Sequence, residues 1–365
     1  MRAAVLHESP GALAIDDVAV DDIRPDEVLV RTSAAGLCHS DLHHLEGHMP
    51  GQPLPRVLGH ESAGIVEAVG SAVSDIAVGD HVVTCPSVFC GECNWCLAGH
   101  PSLCDRIGTA RPPGSRPRLT WKGQPCGQSA GLGSFAELMV VHHHSVVPIR
   151  ADVAFDVVAP IGCAVLTGIG AVWHTAKVQP GSTVAVVGCG GIGLNCVQGA
   201  VLAGASRVIA VDTNPRKLAL ATQFGATDVV DASAGDPVQQ VRELVPGRVG
   251  AGVDHSFEAV GNPLTAAQAF AMLQKGGTAT VIGVMPPGAE VTVAFSDLIA
   301  ERRIQGSVMG SNRFRQDVPR YLELYAQGRL KLDELVSARI SLPEINDGFA
   351  ALAGGDVARA VIVFP

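Results

Sequence analysis

The chain has 365 residues, 47% of them apolar and 17% charged, with a formal net charge of −9. That length suits two cores better than one, and the apolar content excludes an intrinsically disordered chain. The acidic balance gives no electrostatic reason to bind nucleic acid or an anionic membrane.

The opening residues, MRAAVLHESPG, lack the cationic segment and apolar core of a secretory signal. Without export, the ten cysteines read as metal ligands or buried thiols, not as a disulfide framework. A cytoplasmic protein is expected. Up to about residue 155, short apolar runs at 27–32, 64–69, 81–84 and 137–141 are broken by Gly and Pro. Many short strands with turns predict a β-rich, barrel-like domain.

Within it, Cys90, Cys93, Cys96 and Cys104 follow the spacing C-x2-C-x2-C-x7-C. Four thiolates this close in sequence can surround one soft ion, with zinc the usual occupant. A four-cysteine shell has no open position, so that metal holds structure only. The stretch 105–133 that follows reads as a long loop carrying Arg111, Arg116, Arg118 and Lys122. Its functional reading is that these cations attract an anionic substrate, and its bland reading is a solvated basic loop.

From about residue 165 the pattern changes. Strand-like runs at 183–187, 207–211, 253–257 and 278–282 alternate with helical stretches such as 214–224 and 263–273. That alternation predicts a doubly wound parallel sheet covered by helices, an α/β arrangement. Gly188-Cys189-Gly190-Gly191-Ile192-Gly193 follows the first of these strands and opens a helix. Its glycines allow a tight turn and close approach of backbone to a pyrophosphate at a helix N-terminus. Asp212 ends the next strand, about 20 residues on, where a carboxylate accepts from ribose hydroxyls and repels a 2′-phosphate. NAD is therefore expected over NADP. Lys217 can reach the same ribose, and Arg216 is the feature that leaves room for NADP. The long apolar stretches 157–173 and 184–205 are interrupted by Pro160, glycines, Asn195 and Gln198, and read as buried soluble structure. The tail predicts a helix over 317–327 and a last strand over 360–364, returning to the first domain.

Cys38, His60 and Cys163 lie too far apart for spacing to join them. Taken singly, a buried Cys or His is more often structural. Together, two thiolates and one imidazole leave a fourth position on zinc for water or substrate.

Five ordered segments carry a resemblance: G-L-C-H-S-D at 36–41, G-H-E-x-A-G at 59–64, the four-cysteine lobe, I-G-C at 161–163 and the G-C-G-G-I-G turn. The chain resembles the zinc-dependent alcohol dehydrogenases of the medium-chain dehydrogenase/reductase family over nearly its whole length. The resemblance implies a GroES-like β-barrel catalytic domain (1–164 with 309–365) and a Rossmann cofactor domain (165–308). It implies that Cys38, His60 and Cys163 bind a catalytic zinc and the four-cysteine lobe a second ion. Glu61 would sit behind the metal and Asp41 would orient His60. Ser40 and His43 match the family's proton relay, and His39 its pyrophosphate position. Thr167 and Val284 would border the nicotinamide, and Arg359 would contact the cofactor phosphates. Cysteine at 163, where polyol dehydrogenase relatives typically place glutamate, favours the alcohol dehydrogenase branch.

Other residues read as bystanders. His142-His143-His144 follows a strand-like run, so alternate side chains should face opposite ways and not converge on a metal. His44 and His48 read as packing or surface residues, Cys85, Cys126 and Cys196 as buried thiols, and Trp173 and His174 as helix packing. Pro86 stands where relatives carry a bulky aromatic, which predicts a roomy substrate pocket.

The resulting expectation is a two-zinc, NAD-dependent alcohol dehydrogenase acting on a primary, bulky or aromatic alcohol and its aldehyde. The length of the 105–133 segment predicts a homodimer. A thiol-dependent formaldehyde dehydrogenase is the enzymatic alternative. A non-catalytic nucleotide-binding redox sensor is the other, and an intact open ligand set with Ser40 and His43 counts against it.

Overall fold

The computed structural model describes residues 1–49, 51–106, 108–246, 251–355 and 359–365. Contacts divide the chain into two units. The first is Met1–Cys163 with Arg313–Gly328 and Leu332–Pro365, and the second is Ala164–Asn312 with Arg329–Lys331. Residues 164, 309–312 and 329–331 thus belong to units other than those expected of them. The main chain of 329–331 explains part of this: the Gln198 amide donates to Lys331 O at 3.2 Å and accepts from Lys331 N at 3.0 Å.

The first unit is built on strand Glu27–Gly36, whose apolar residues are buried. It pairs antiparallel with Glu61–Val69, Leu138–His142 and Ala360–Val363. His81–Thr84, Val146–Pro148 and Ala338–Ile340 extend this seven-stranded sheet. A second, six-stranded sheet runs in the order Leu13–Asp17, Arg2–Leu6, Arg56–Val57, Gln124–Gln128, Leu119–Trp121, Ala19–Val20. Leu6, Leu37, Leu58, Phe135 and Phe349 share one of the cores in this unit, with the two phenylalanine rings edge to face at 5.9 Å. The last strand pairs Val361 with Gly36, so the C-terminal segment completes the first sheet.

The segment 105–133 is not the structureless loop expected. Leu119–Trp121 and Gln124–Gln128 form a hairpin whose turn, at Lys122 and Gly123, has positive φ. The tail helix begins a turn earlier than expected, as Phe314–Ala326, because the Asp317 carboxylate accepts from Arg313 N–H at its start.

The second unit is a six-stranded parallel sheet in the order Asp228–Asp231, Arg207–Asp212, Thr183–Val187, Val253–Glu258, Leu273–Val281, Arg303–Gly306. This is the doubly wound 3-2-1-4-5-6 order, which places a crevice beyond the carboxyl ends of the first and fourth strands. The central strands Thr183–Val187 and Arg207–Asp212 are buried on both faces, which is why they read as continuous Val/Ile/Ala runs, whereas the edge strand Arg303–Gly306 is largely exposed. Asn214, Asp236 and Asn262 cap the helices that follow them, and a proline occupies the first position of each. Among the described residues no single helix is long and apolar enough to cross a membrane. The stretch 157–173 is divided among short helical turns, and 184–205 is a strand followed by a helix.

Candidate metal and dinucleotide sites

Three glycines shape the first site. Gly59 takes a φ of +90°, and a Cβ there would strike the Phe135 ring and Ser134 Oγ at 2.6 Å, so only glycine lets the chain turn His60 inward. Gly162 packs its Cα against Thr84 O, which a Cβ would meet at 1.9 Å; this seats Cys163 against strand His81–Thr84. Gly36 faces Glu61 across the antiparallel ladder, and a Cβ there would strike the Glu61 carboxylate at 2.6 Å. The motif glycines are thus clearances for the next functional side chain.

With those clearances, Cys38, His60, Glu61 and Cys163 each bring one donor atom within 4.8 Å of the others, and all four residues are buried. Asp41, on the short helix His39–Leu45, is fully buried and orients the imidazole. One of its oxygens accepts from Gly59 N–H at 3.1 Å and stands 3.3 Å from His60 Nδ1. That contact leaves Nε2 to face the thiols. Burial alone would lower the His60 pKa, but the Asp41 carboxylate and the Cys38 sulfur outweigh it and raise it well above the usual value. The Cys163 thiol donates to Cys38, which holds Cys38 as a thiolate and pushes Cys163 far up. Two sulfurs sharing one proton in a dry site are the metal-free form of a two-thiolate, one-imidazole ligand set.

Glu61 lies behind these donors. Burial pushes it up to about 8, against the pull of Arg359, whose guanidinium is 3.2 Å away. Arg359 was expected at the cofactor phosphates. It is instead buried, donating to Leu37 O at 2.9 Å and facing Glu61, so it serves the charge balance behind the metal donors. Ser40 is next to the thiolate, its Oγ 3.8 Å from Cys38 Sγ. Ser40 and His43 are three apart on one helix and share a face. Sequence reasoning placed His48 among bystanders, yet its Nδ1 is 3.4 Å from His43 Nδ1; the five-residue separation was the available signal. His39 is exposed on the same helix.

In the four-cysteine lobe, Sγ–Sγ distances are 3.5 Å for Cys90–Cys104, 3.8 Å for Cys93–Cys104 and 4.0 Å for Cys90–Cys96. A tetrahedron with zinc–sulfur bonds of about 2.3 Å has sulfurs about 3.8 Å apart, so these thiols fit that ion as they stand. Backbone N–H groups of Cys90, Cys93 and Arg106 donate to the sulfurs at 3.1–3.3 Å, which favours thiolates over disulfides.

In the second unit, Gly188 has a φ of +91°, and a Cβ at Gly193 would strike Gly188 O at 1.7 Å. A Cβ at Gly190, which caps helix Gly191–Leu202, would meet no atom within 4 Å, so the space before the helix is open to a pyrophosphate. The Asp212 carboxylate accepts from Cys189 N–H at 2.8 Å and Asn214 N–H at 2.9 Å, fixing it at the lip of the turn. Lys217 follows on helix Pro215–Gln223. Thr167 is buried and donates to the Met309 sulfur, and Val284 is half exposed beside Gly261.

Two models of known families match the chain: one described as Alcohol dehydrogenase GroES-like domain over residues 24–151, and one described as Zinc-binding dehydrogenase over residues 191–327. An S-(hydroxymethyl)glutathione dehydrogenase of Synechocystis is 39% identical over 99% of both chains. An alcohol dehydrogenase class-3 of Zea mays is 38% identical over 99% of this chain and 96% of its own length. The chain belongs to the zinc-dependent medium-chain alcohol dehydrogenases. The crystal structure of benzyl alcohol dehydrogenase from Acinetobacter calcoaceticus superposes with a TM-score of 0.93 at 32% identity, covering 100% of this chain and 99% of that one. As a member of the family, the protein is an NAD-dependent oxidoreductase with a small-molecule alcohol substrate, and its two ligand clusters suit two zinc ions.

The cations of the 105–133 segment are largely engaged within the protein. Arg111 donates to Glu27 and Asp21, and Arg118 to Glu27 at 2.7 Å. Both guanidiniums are nearly buried. Lys122 lies over the Trp121 ring at 4.4 Å. Arg116 is 86% exposed, with one guanidinium nitrogen 3.7 Å from an Asp21 oxygen. These cations fasten the hairpin to strand Glu27–Gly36 rather than offering a field to an anion.

Proposed function

We propose that the protein oxidises the hydroxymethyl adduct of formaldehyde with a low-molecular-weight thiol, of the S-(hydroxymethyl)glutathione type, with NAD as acceptor. What supports the chemistry is the buried Cys38–His60–Cys163 donor set, three ligands that would leave zinc a fourth position for substrate, with Glu61 behind them. What supports the substrate class is the near-full-length likeness to S-(hydroxymethyl)glutathione dehydrogenases and class-3 alcohol dehydrogenases.

Cys38, His60 and Cys163 would hold the catalytic zinc, and Cys90, Cys93, Cys96 and Cys104 the structural one. When bound, the catalytic ion supplies Lewis acidity toward the substrate hydroxyl. Asp41 keeps His60 in the tautomer that presents Nε2. Ser40 Oγ takes the hydroxyl proton and His43 returns it to solvent, a task that suits an imidazole of near-neutral reference pKa. Glu61 and Arg359 form a pair behind the donors. The glycine turn would receive the cofactor's pyrophosphate, and Asp212 with Lys217 would bind the adenosine ribose. Thr167 and Val284 would border the nicotinamide, and the cofactor would supply the hydride acceptor.

A second reading is a dehydrogenase of bulky or aromatic primary alcohols. Engagement of Arg111 and Arg118 by Glu27 favours it, because few loop cations are left for a thiol's carboxylates. Pro86 in place of an aromatic is consistent with it. NADH formation from formaldehyde with and without glutathione, beside benzyl alcohol, separates the two. The length of the 105–133 segment extends the proposal to a homodimer, which sedimentation of the zinc-loaded protein tests.

A further inference from the structure

Outside the sites described above, three imidazoles of the first unit converge, against the expectation from strand alternation. His142 ends strand Leu138–His142, and His143–Ser145 turns at once into a 3-10 helix. The turn abandons the two-residue period, and the ring centroids lie 4.8 Å (His142–His143), 5.0 Å (His142–His144) and 4.1 Å (His143–His144) apart. One nitrogen of each ring lies within 4.8 Å of the others, the same limit that encloses the two cysteine-containing clusters.

The surroundings orient these rings as ligands. His144 Nδ1 is 2.7 Å from Phe89 O, to which it donates, and its ring stacks on Phe89 with centroids 4.5 Å apart and planes 5° apart. That leaves the Nε2 lone pair free on a locked ring, as in histidines that bind metals. His143 Nδ1 faces an Asp75 oxygen at 3.5 Å, which orients the ring. His142 Nδ1 accepts from His144 N–H at 3.0 Å, so binding must either share that lone pair or flip the ring. Burial, with the neighbouring imidazoles, takes His142 down to about 4, and burial lowers His143 and His144. Neutral imidazole is the metal-binding form.

Charge around the cluster is balanced. Asp26 is 3.8 Å from His142, and Asp75 faces His143. Arg315 bonds to Asp75 at 2.6 Å and to His143 O at 3.1 Å, and Arg118 is already held by Glu27. Affinity must therefore come from the imidazole donors. Three imidazoles select zinc, copper or nickel over calcium or magnesium.

We propose that His142, His143 and His144 form a third metal site, taking a divalent transition ion such as zinc with water or Asp75 completing the shell. Bonds of about 2.0–2.1 Å place tetrahedral nitrogens about 3.4 Å apart, so the rings close by roughly an ångström on binding.

The test is equilibrium dialysis of the zinc-loaded protein against micromolar free zinc, followed by metal counting. H143N and H144N should each hold one ion fewer per chain than the wild type, with dehydrogenase activity kept. Equal metal content in wild type and variants overturns the proposal. Should the variants fold poorly, histidine-selective nitrogen NMR of the wild type decides. Zinc should shift the ring nitrogens of His142, His143 and His144; no shift there, or shifts confined to His43 and His48, contradicts the site.

Discussion

The carboxylate of Asp41 stands 3.2 Å from Nδ1 of His60, and the same group holds the Gly59 N–H that precedes the ring. One buried side chain therefore sets both the tautomer of the metal-facing imidazole and the turn that delivers it. Removing it should loosen the metal, not the fold alone. For D41A we expect zinc affinity at the Cys38–His60–Cys163 site to fall about 10–100-fold. Competition with a chromophoric chelator checks this, with the four-cysteine ion as the internal reference.

The four-cysteine lobe predicts the opposite pattern. In C104S one zinc should be lost from Cys90, Cys93 and Cys96, leaving thiolates that repel one another. Stability should fall by about 4 kcal/mol or more, the range reached when a structural metal goes. Isothermal NADH binding should survive, since Gly188, Gly190 and Asp212 belong to the other unit.

Glu27 carries a pH prediction. Burial raises its pKa, but hydrogen bonds from Arg111 and Arg118 outweigh this and hold it at about 2, below the ordinary 4.5. A depressed carboxylate stabilises the fold above the unfolded value, and that stabilisation is lost as pH falls from 4.5 towards 2. The loss amounts to at most about 3 kcal/mol. E27Q should remove that acid limb of the stability curve and cost about 3–5 kcal/mol at neutral pH, because two nearly buried guanidiniums lose their counter-charge. Denaturant titrations of both proteins at pH 3 and 7 check it.

Asp212 is proposed to choose between the two dinucleotides. D212N removes the charge that repels a 2′-phosphate and weakens a charged hydrogen bond worth about 1.5–3 kcal/mol. We expect kcat/KM with NAD to fall at least roughly tenfold and the NADP:NAD ratio to rise. Initial rates with both dinucleotides decide the point.

Legibility from sequence followed the range of the interactions. The glycine turn and the cysteine lobe were readable because strand, turn, helix and ligand spacing are local and periodic. The central strands Thr183–Val187 and Arg207–Asp212 were readable because burial on both faces leaves continuous apolar runs, while the edge strands Asp228–Asp231 and Arg303–Gly306 lack that burial. What local reasoning missed was set by distant partners. Glu27 captures Arg111 and Arg118 from 84 and 91 residues away, and Glu61 captures Arg359 from the last strand. No periodicity records either pairing. The three consecutive histidines converge, against the strand-based expectation, because the chain leaves the strand for a 3-10 turn at His143. The 105–133 hairpin was hidden by prolines and by strands of three and five residues.

The central claim is tested most directly by NADH formation at 340 nm from formaldehyde with the zinc-loaded protein, with and without glutathione, beside benzyl alcohol. The account predicts turnover that requires the thiol and is abolished in C163A. Thiol-independent oxidation of benzyl alcohol, with no response to the formaldehyde–glutathione mixture, would contradict it and leave the aromatic alcohol as the substrate.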